Sequence, residues 1–171
     1  MDDIDPVDGA WADREVAMMQ GLRDWAVAFD ELNRHLSTWM HLPVSDANAL
    51  GRIVWAEQAG EPMSPAVLSR HLGLTSGATS VLIDRLEAAG HVTRHRDTVD
   101  RRRVGLRPTE GARRASDRFL AFSGAEIART LHETAPEEAR VVIAFLTRMT
   151  SAATAANGRL AERSKAAAAS A

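Results

Sequence analysis

Met18, Leu22, Trp25, Phe29, Leu32, Leu36 and Trp39 recur at alternating steps of four and three residues. This spacing predicts one long helix carrying a single apolar seam over three heptads. Pro43 ends it, because proline cannot continue an α-helix and steers the preceding residue away from helical backbone. A seam this long exceeds what one helix needs to sit on a small core. We read it as a subunit interface, with a packing stripe inside the monomer as the alternative.

Ser45 is the expected N-cap of a second helix that buries Leu50, Ile53 and Val54 and ends near Gly60. In "SPAVLSRHLG", Ser64 caps, Pro65 takes the first helical position, Val67, Leu68 and Leu72 face inward, and Gly73 breaks the helix. "TSGATSVLIDRLEAAG" predicts a further helix, capped by Thr75 or Ser76, with Ala78, Leu82 and Leu86 inside and Gly90 just past its end. Two short helices around a glycine-containing turn make a helix-turn-helix. The second has a hydroxyl-rich first half (Thr75, Ser76, Thr79, Ser80) and a charged second half (Asp84, Arg85, Glu87). Capping accounts for one or two of those hydroxyls, not four.

From His91 the period shortens to two. "HVTRHR" and "RVGLR" read as strands around the turn-forming "DTVDR", which makes a hairpin and hence a winged helix. Pro108 and Thr109 then open a helix expected to run to about residue 131 despite Gly111. Thr134 and Glu137, with Pro136 between them, suggest a capping box for a last helix reaching about residue 157. Its inner face would carry Val142, Phe145 or Leu146, and Met149. Residues 1–10 read as a disordered acidic lead, and residues 158–171, ending in "SKAAAASA", as a frayed tail.

Composition narrows the function. The 171 residues are 45% hydrophobic and 26% charged, as in an ordinary soluble protein, so a cytoplasmic location is expected. No apolar run has the length of about 18 residues that a membrane span needs, and the acidic opening does not resemble a signal peptide. Absence of cysteine rules out disulfides, thiolate metal sites and thiol redox sensing. The net charge is −2, yet residues 61–114 hold ten arginines against six acids, while residues 1–40 hold nine acids against three arginines. "RHRDTVDRRRVGLR", residues 94–107, concentrates six of those arginines on the predicted hairpin. One surface is therefore suited to a polyanion.

Catalysis finds little support. No His-x-x-Glu-His or Glu-x-x-His set lies on a helix, and no glycine-rich phosphate loop precedes one. His35 with His41, and His91 with His95, have spacings that could bind a metal, but solvated or hydrogen-bonded histidines are the commoner case. We expect no enzyme, metal site or cofactor.

Between about residues 35 and 150 the chain resembles the MarR family of winged-helix transcriptional regulators. The match is strongest over "LSRHLGLTSGATSVLIDRLEAAGHVTRHRDTVDRRRVGLRPTEG". It rests on Arg85, Leu86 and Glu87, then Gly90, Val92 and Arg94, then Asp100 and Arg102, then Thr109 to Gly111, in that order and spacing. It departs at Pro108, where the family ends the strand in leucine, and at Thr98 and Val99, where Asn-Pro or Asp-Pro is common.

The resemblance implies a mainly α fold. A winged helix-turn-helix over residues 45–111 would be flanked by a helical dimerisation region of residues 11–42 and 112–157. It implies a dimeric, sequence-specific DNA-binding regulator, a ligand-responsive repressor, on an inverted-repeat duplex operator. The dimer contacts would be Met18, Leu22, Trp25, Phe29, Leu32, Val142, Leu146 and Met149. Thr75, Ser76, Gly77, Thr79 and Ser80 would enter the major groove. Arg102 would enter the minor groove, Asp100 would position an arginine, and Arg85, Arg96, Arg101 and Arg103 would complete the contact set, largely on phosphate. A small aromatic or anionic effector would lie near Trp39, His41 and Trp55. The alternative is a helical dimeric adaptor that uses its winged helix for protein contacts.

Overall fold

The computed structural model describes residues 11–96 and 104–169. It divides at Gly124 into two compact units. The first holds α1 (Asp13–Met40), α2 (Val44–Gln58), α3 (Pro65–Leu72), α4 (Ser76–Ala88), β1 (Val92–Arg96), β2 (Val104–Pro108) and α5 (Glu110–Ser123). The second holds α6 (Ala125–Glu133) and α7 (Pro136–Ala169).

The core of the first unit joins α2, α3, α4 and the hairpin. Leu50, Ile53, Leu68, Leu82, Ile83, Leu86, Val92 and Leu106 are all fully or almost fully buried in it. Local chemistry explains the element ends. Ser64 Oγ accepts from the Val67 N–H, with Pro65 in the first turn, and Thr75 Oγ1 accepts from the Ala78 N–H. Past α4, Gly90 has φ +73°, with its N–H bonded to Glu87 O and the His91 N–H bonded to Leu86 O. That pair of bonds is a Schellman end, and its left-handed residue suits glycine.

The hairpin pairs antiparallel, from Val92 opposite Pro108 to Arg96 opposite Val104. On the other edge of β2, Leu106 N–H donates to Met63 O at 2.8 Å, a bridge absent from the sequence expectation. Pro108 fits because it ends the strand, and the next N–H, that of Thr109, bonds His91 O at 2.9 Å. Thr109 Oγ1 also donates to Gly90 O at 2.8 Å and accepts from Ala112 N–H at 3.2 Å. One threonine thus ties the end of α4 to the start of α5.

Several expected boundaries need correction. α1 ends at Met40 because His41 takes a left-handed conformation, φ 53°, and Pro43, not Ser45, is the N-cap of α2. Ser45 instead sits in the first turn with Oγ donating to Asp46 Oδ1. The helix expected to reach residue 131 breaks at Gly124, where an added Cβ would lie 2.7 Å from Leu120 O. No Thr134–Glu137 capping box forms: Thr134 Oγ1 donates back to Thr130 O, and Glu137 pairs with Arg140. The tail expected to fray from residue 158 is helical to Ala169, in keeping with the high helix propensity of its alanines.

Candidate nucleic-acid interface

α4 buries one row, Thr79, Leu82, Ile83 and Leu86, and turns Ser76, Gly77, Ser80, Val81 and Asp84 to solvent. The sequence expectation erred by one residue here. Ala78 is exposed and Thr79 is buried, with Oγ1 donating to Thr75 O at 2.9 Å. Its methyl joins the core and its hydroxyl satisfies the preceding turn. Thr79 is therefore withdrawn from the groove-facing set, whereas Thr75, Ser76, Gly77 and Ser80 remain exposed.

Arg85 is also engaged. Its Nε donates to Asp46 Oδ2 at 3.0 Å and its Nη2 to Asp46 Oδ1 at 2.7 Å, a bidentate pair from α4 to α2. The Asp46 side chain is 2% exposed and that of Arg85 50%. Burial alone would push the Asp46 carboxyl up, but hydrogen bonds from Arg85 and Ser45, with the guanidinium charge, hold it below the ordinary carboxylate value of 3.8. The Asp46 hydrogen bond in turn raises the Arg85 pKa despite some desolvation. Arg85, expected as a phosphate contact, acts in this structure as a brace. A carboxylate in the row Asp46, Leu50, Ile53 was the available signal for it, since an acid on an apolar helical stripe needs a partner.

A second arginine braces the same carboxy-terminal half of α4 from the hairpin. Arg94 on β1 donates through Nη2 to Asp84 at 2.7 Å and through Nη1 to Glu87, and its backbone N–H donates to Glu87 Oε1. The acids of α4 are thereby neutralised, and the hairpin is joined to the helix. On the opposite strand, Arg107 approaches Glu57 of α2 at 3.8 Å. Arg96 closes β1 opposite Val104. Asp100, Arg101, Arg102 and Arg103 lie outside the described residues.

The α1 seam is open within its unit. Met18, Trp25 and Phe29 are exposed, Leu22 and Leu32 half-buried, and the Trp25 and Phe29 rings stack at 5.6 Å. Only toward its end does α1 reach the core, through Leu36 and Met40. In the second unit Val142 and Leu146 are exposed and Met149 is half-buried. The three expected effector residues have different settings. Trp39 stacks on Phe122 at 6.2 Å and meets Phe119 edge-on at 5.9 Å, two partners the sequence reading missed. His41 is the exposed cap of α1, and Trp55 is exposed on α2.

With this geometry in view, residues 52–103 match the sequence profile of the MarR family. That stretch runs from within α2 to just before β2, so it is the winged-helix part of this chain that is similar to the MarR family. A curated relative from Bacillus subtilis (strain 168), the uncharacterized HTH-type transcriptional regulator YcgE, is 36% identical over 88 residues. That match spans 50% of this chain and 55% of the relative, so about half of each. Among solved structures, S. aureus MepR in DNA-binding conformation is similar with a TM-score of 0.62 at 18% identity, covering 79% of this chain and 97% of that one. BldR from Sulfolobus solfataricus gives 0.54 at 24% identity, covering 81% and 96%. A MarR protein from Peptoclostridium difficile gives 0.56 at 20%, covering 88% and 91%. These likenesses establish the winged-helix fold. Among the described residues no helix is long and apolar enough to cross a membrane, and no group of three or more His, Asp or Glu could hold a metal ion.

Proposed function

We propose that this protein is a MarR-family, homodimeric, sequence-specific DNA-binding transcriptional regulator of the cytoplasm, acting as a ligand-responsive repressor. The observation that carries the reading is the exposed amino-terminal edge of α4, on a helix whose carboxy-terminal half is held by two arginine–carboxylate pairs, one to α2 and one to β1. A helix held this way can be inserted into a major groove without losing its own packing. Thr75, Ser76, Gly77 and Ser80 would face bases and phosphates, and Gly77 leaves open space for close backbone approach. On the hairpin, Arg102 would enter the minor groove, with Arg96, Arg101 and Arg103 on phosphate and Asp100 positioning a guanidinium.

The α1 seam would bury itself against a second copy, aided by Val142, Leu146 and Met149. Two-fold symmetry then calls for an inverted-repeat operator with half-sites roughly 10 base pairs apart, about one helical turn. An aromatic or anionic effector would bind near the Trp39, Phe119 and Phe122 rings, with His41 and Trp55 as further candidates. The test is an electrophoretic shift on the DNA upstream of the protein's own gene, over a range of salt. Binding that weakens steeply with salt and footprints as an inverted repeat is expected. No shift at low salt would favour the adaptor reading instead.

A further inference from the structure

We propose that Val81 reads the C5-methyl groups of thymine, so that the half-site under α4 is selected for thymine at one or two positions. This rests on the DNA-binding reading of α4. Val81 is 55% exposed at the middle of the helix, on the face that Gly77, Ser80 and Asp84 share, opposite the buried row of Thr79, Leu82, Ile83 and Leu86. Isolated exposed apolar residues are ordinary on protein surfaces, and exposure alone says nothing.

What singles out Val81 is the chemistry missing around it. Side chains that discriminate bases by paired hydrogen bonds are arginine and lysine for guanine, and asparagine and glutamine for adenine. Residues 75–83, "TSGATSVLI", contain none of them. The first such residue along α4 is Arg85, whose Nε and Nη2 are committed to Asp46. Asp84, which could accept from cytosine, is paired with Arg94. Besides the single methyl of exposed Ala78 on its flank, the reading face is left with the Ser76 and Ser80 hydroxyls and the branched Val81 side chain, its largest apolar group. A hydroxyl both donates and accepts and so separates the bases poorly. The thymine methyl is the apolar feature of the major-groove edge, and burying it against a branched hydrocarbon gains free energy that no cytosine or purine edge returns.

The experiment selects bound duplexes from a random library with the full chain, then replaces each half-site thymine in turn by deoxyuridine, which removes only the methyl. Wild-type protein should lose about fourfold in affinity for each methyl that Val81 covers, the value of one buried methyl group. Val81→Ala should bind the parent duplex more weakly, lose nothing further on deoxyuridine substitution at those positions, and enrich library sequences without that thymine. Because Val81 lies outside the core, its thermal unfolding and the salt dependence of binding should match wild type. Deoxyuridine without effect at every position, or an equal loss in Val81→Ala, overturns the assignment while leaving DNA binding intact. A library that yields no enriched sequence overturns base reading by α4 altogether, and this assignment with it.

Discussion

Asp46 of α2 holds Arg85 of α4 through two hydrogen bonds, at 3.0 and 2.7 Å, with the carboxylate buried and the guanidinium half in solvent. The asymmetry in burial makes the two halves of this pair unequal. Removing Asp46 releases an arginine that water can solvate, whereas removing Arg85 strands a buried anion. Arg85→Ala is therefore expected to lower the melting temperature more than Asp46→Ala does, by roughly 5 °C or more for the arginine. Equal losses in the two variants would contradict the burial argument.

The pair also sets a pH dependence. The folded Asp46 carboxyl lies below 3.8, so its stabilisation is present above that pH and lost as pH falls through the depressed folded value. In Arg85→Ala burial, the largest influence on the carboxyl, is opposed only by the Ser45 hydrogen bond and pushes the carboxyl upward. The variant's deficit against wild type should then be largest near neutral pH and shrink on acidification, as the stranded group takes up a proton. Melting both proteins at about pH 7 and about pH 4 reads this directly.

Thr109 offers a separate test in the same unit. Thr109→Ala removes both the cap on Ala112 N–H and the bond to Gly90 O. A loss of about 2 kcal/mol is expected by urea unfolding, and Thr109→Ser should recover most of it because the hydroxyl is what acts.

For the seam, we expect a dimer by analytical ultracentrifugation at micromolar concentration. Replacing Leu22 and Phe29 together with Glu should yield a folded monomer whose operator affinity falls by roughly tenfold or more, since one copy engages one half-site. A wild-type monomer would remove the seam's assignment.

On the wing, Arg102→Ala should weaken binding most where flanking DNA is A·T-rich, whereas Arg101→Ala and Arg103→Ala should weaken it evenly. Each lost phosphate contact should reduce the log–log salt slope by about 0.9, doubled when both subunits lose it. Asp100→Ala removes a negative charge beside DNA, so weaker binding would mean that it positions an arginine. Tighter binding, with Arg102→Ala unaffected, would exclude the wing as minor-groove reader.

Where the chain starts and stops its short helices was legible from nearest neighbours. Ser64 with Pro65, Thr75, Gly73 and Gly90 act within a few residues, through side-chain caps and left-handed backbone that any fold must satisfy. The winged helix followed from those ends and from the change of period at His91. Only packing decided the rest. Thr79 and not Ala78 faces inward because α4 is rotated to seat Leu82, Ile83 and Leu86 together, and a threonine can bury its methyl once its hydroxyl bonds the preceding turn. Arg85 looked like a phosphate contact until Asp46, far away in the chain, was brought beside it by the α2–α4 core. Met63 meets Leu106 for the same reason: a bond between distant segments has no local pattern, and exists only once the core has placed both edges at hydrogen-bonding distance.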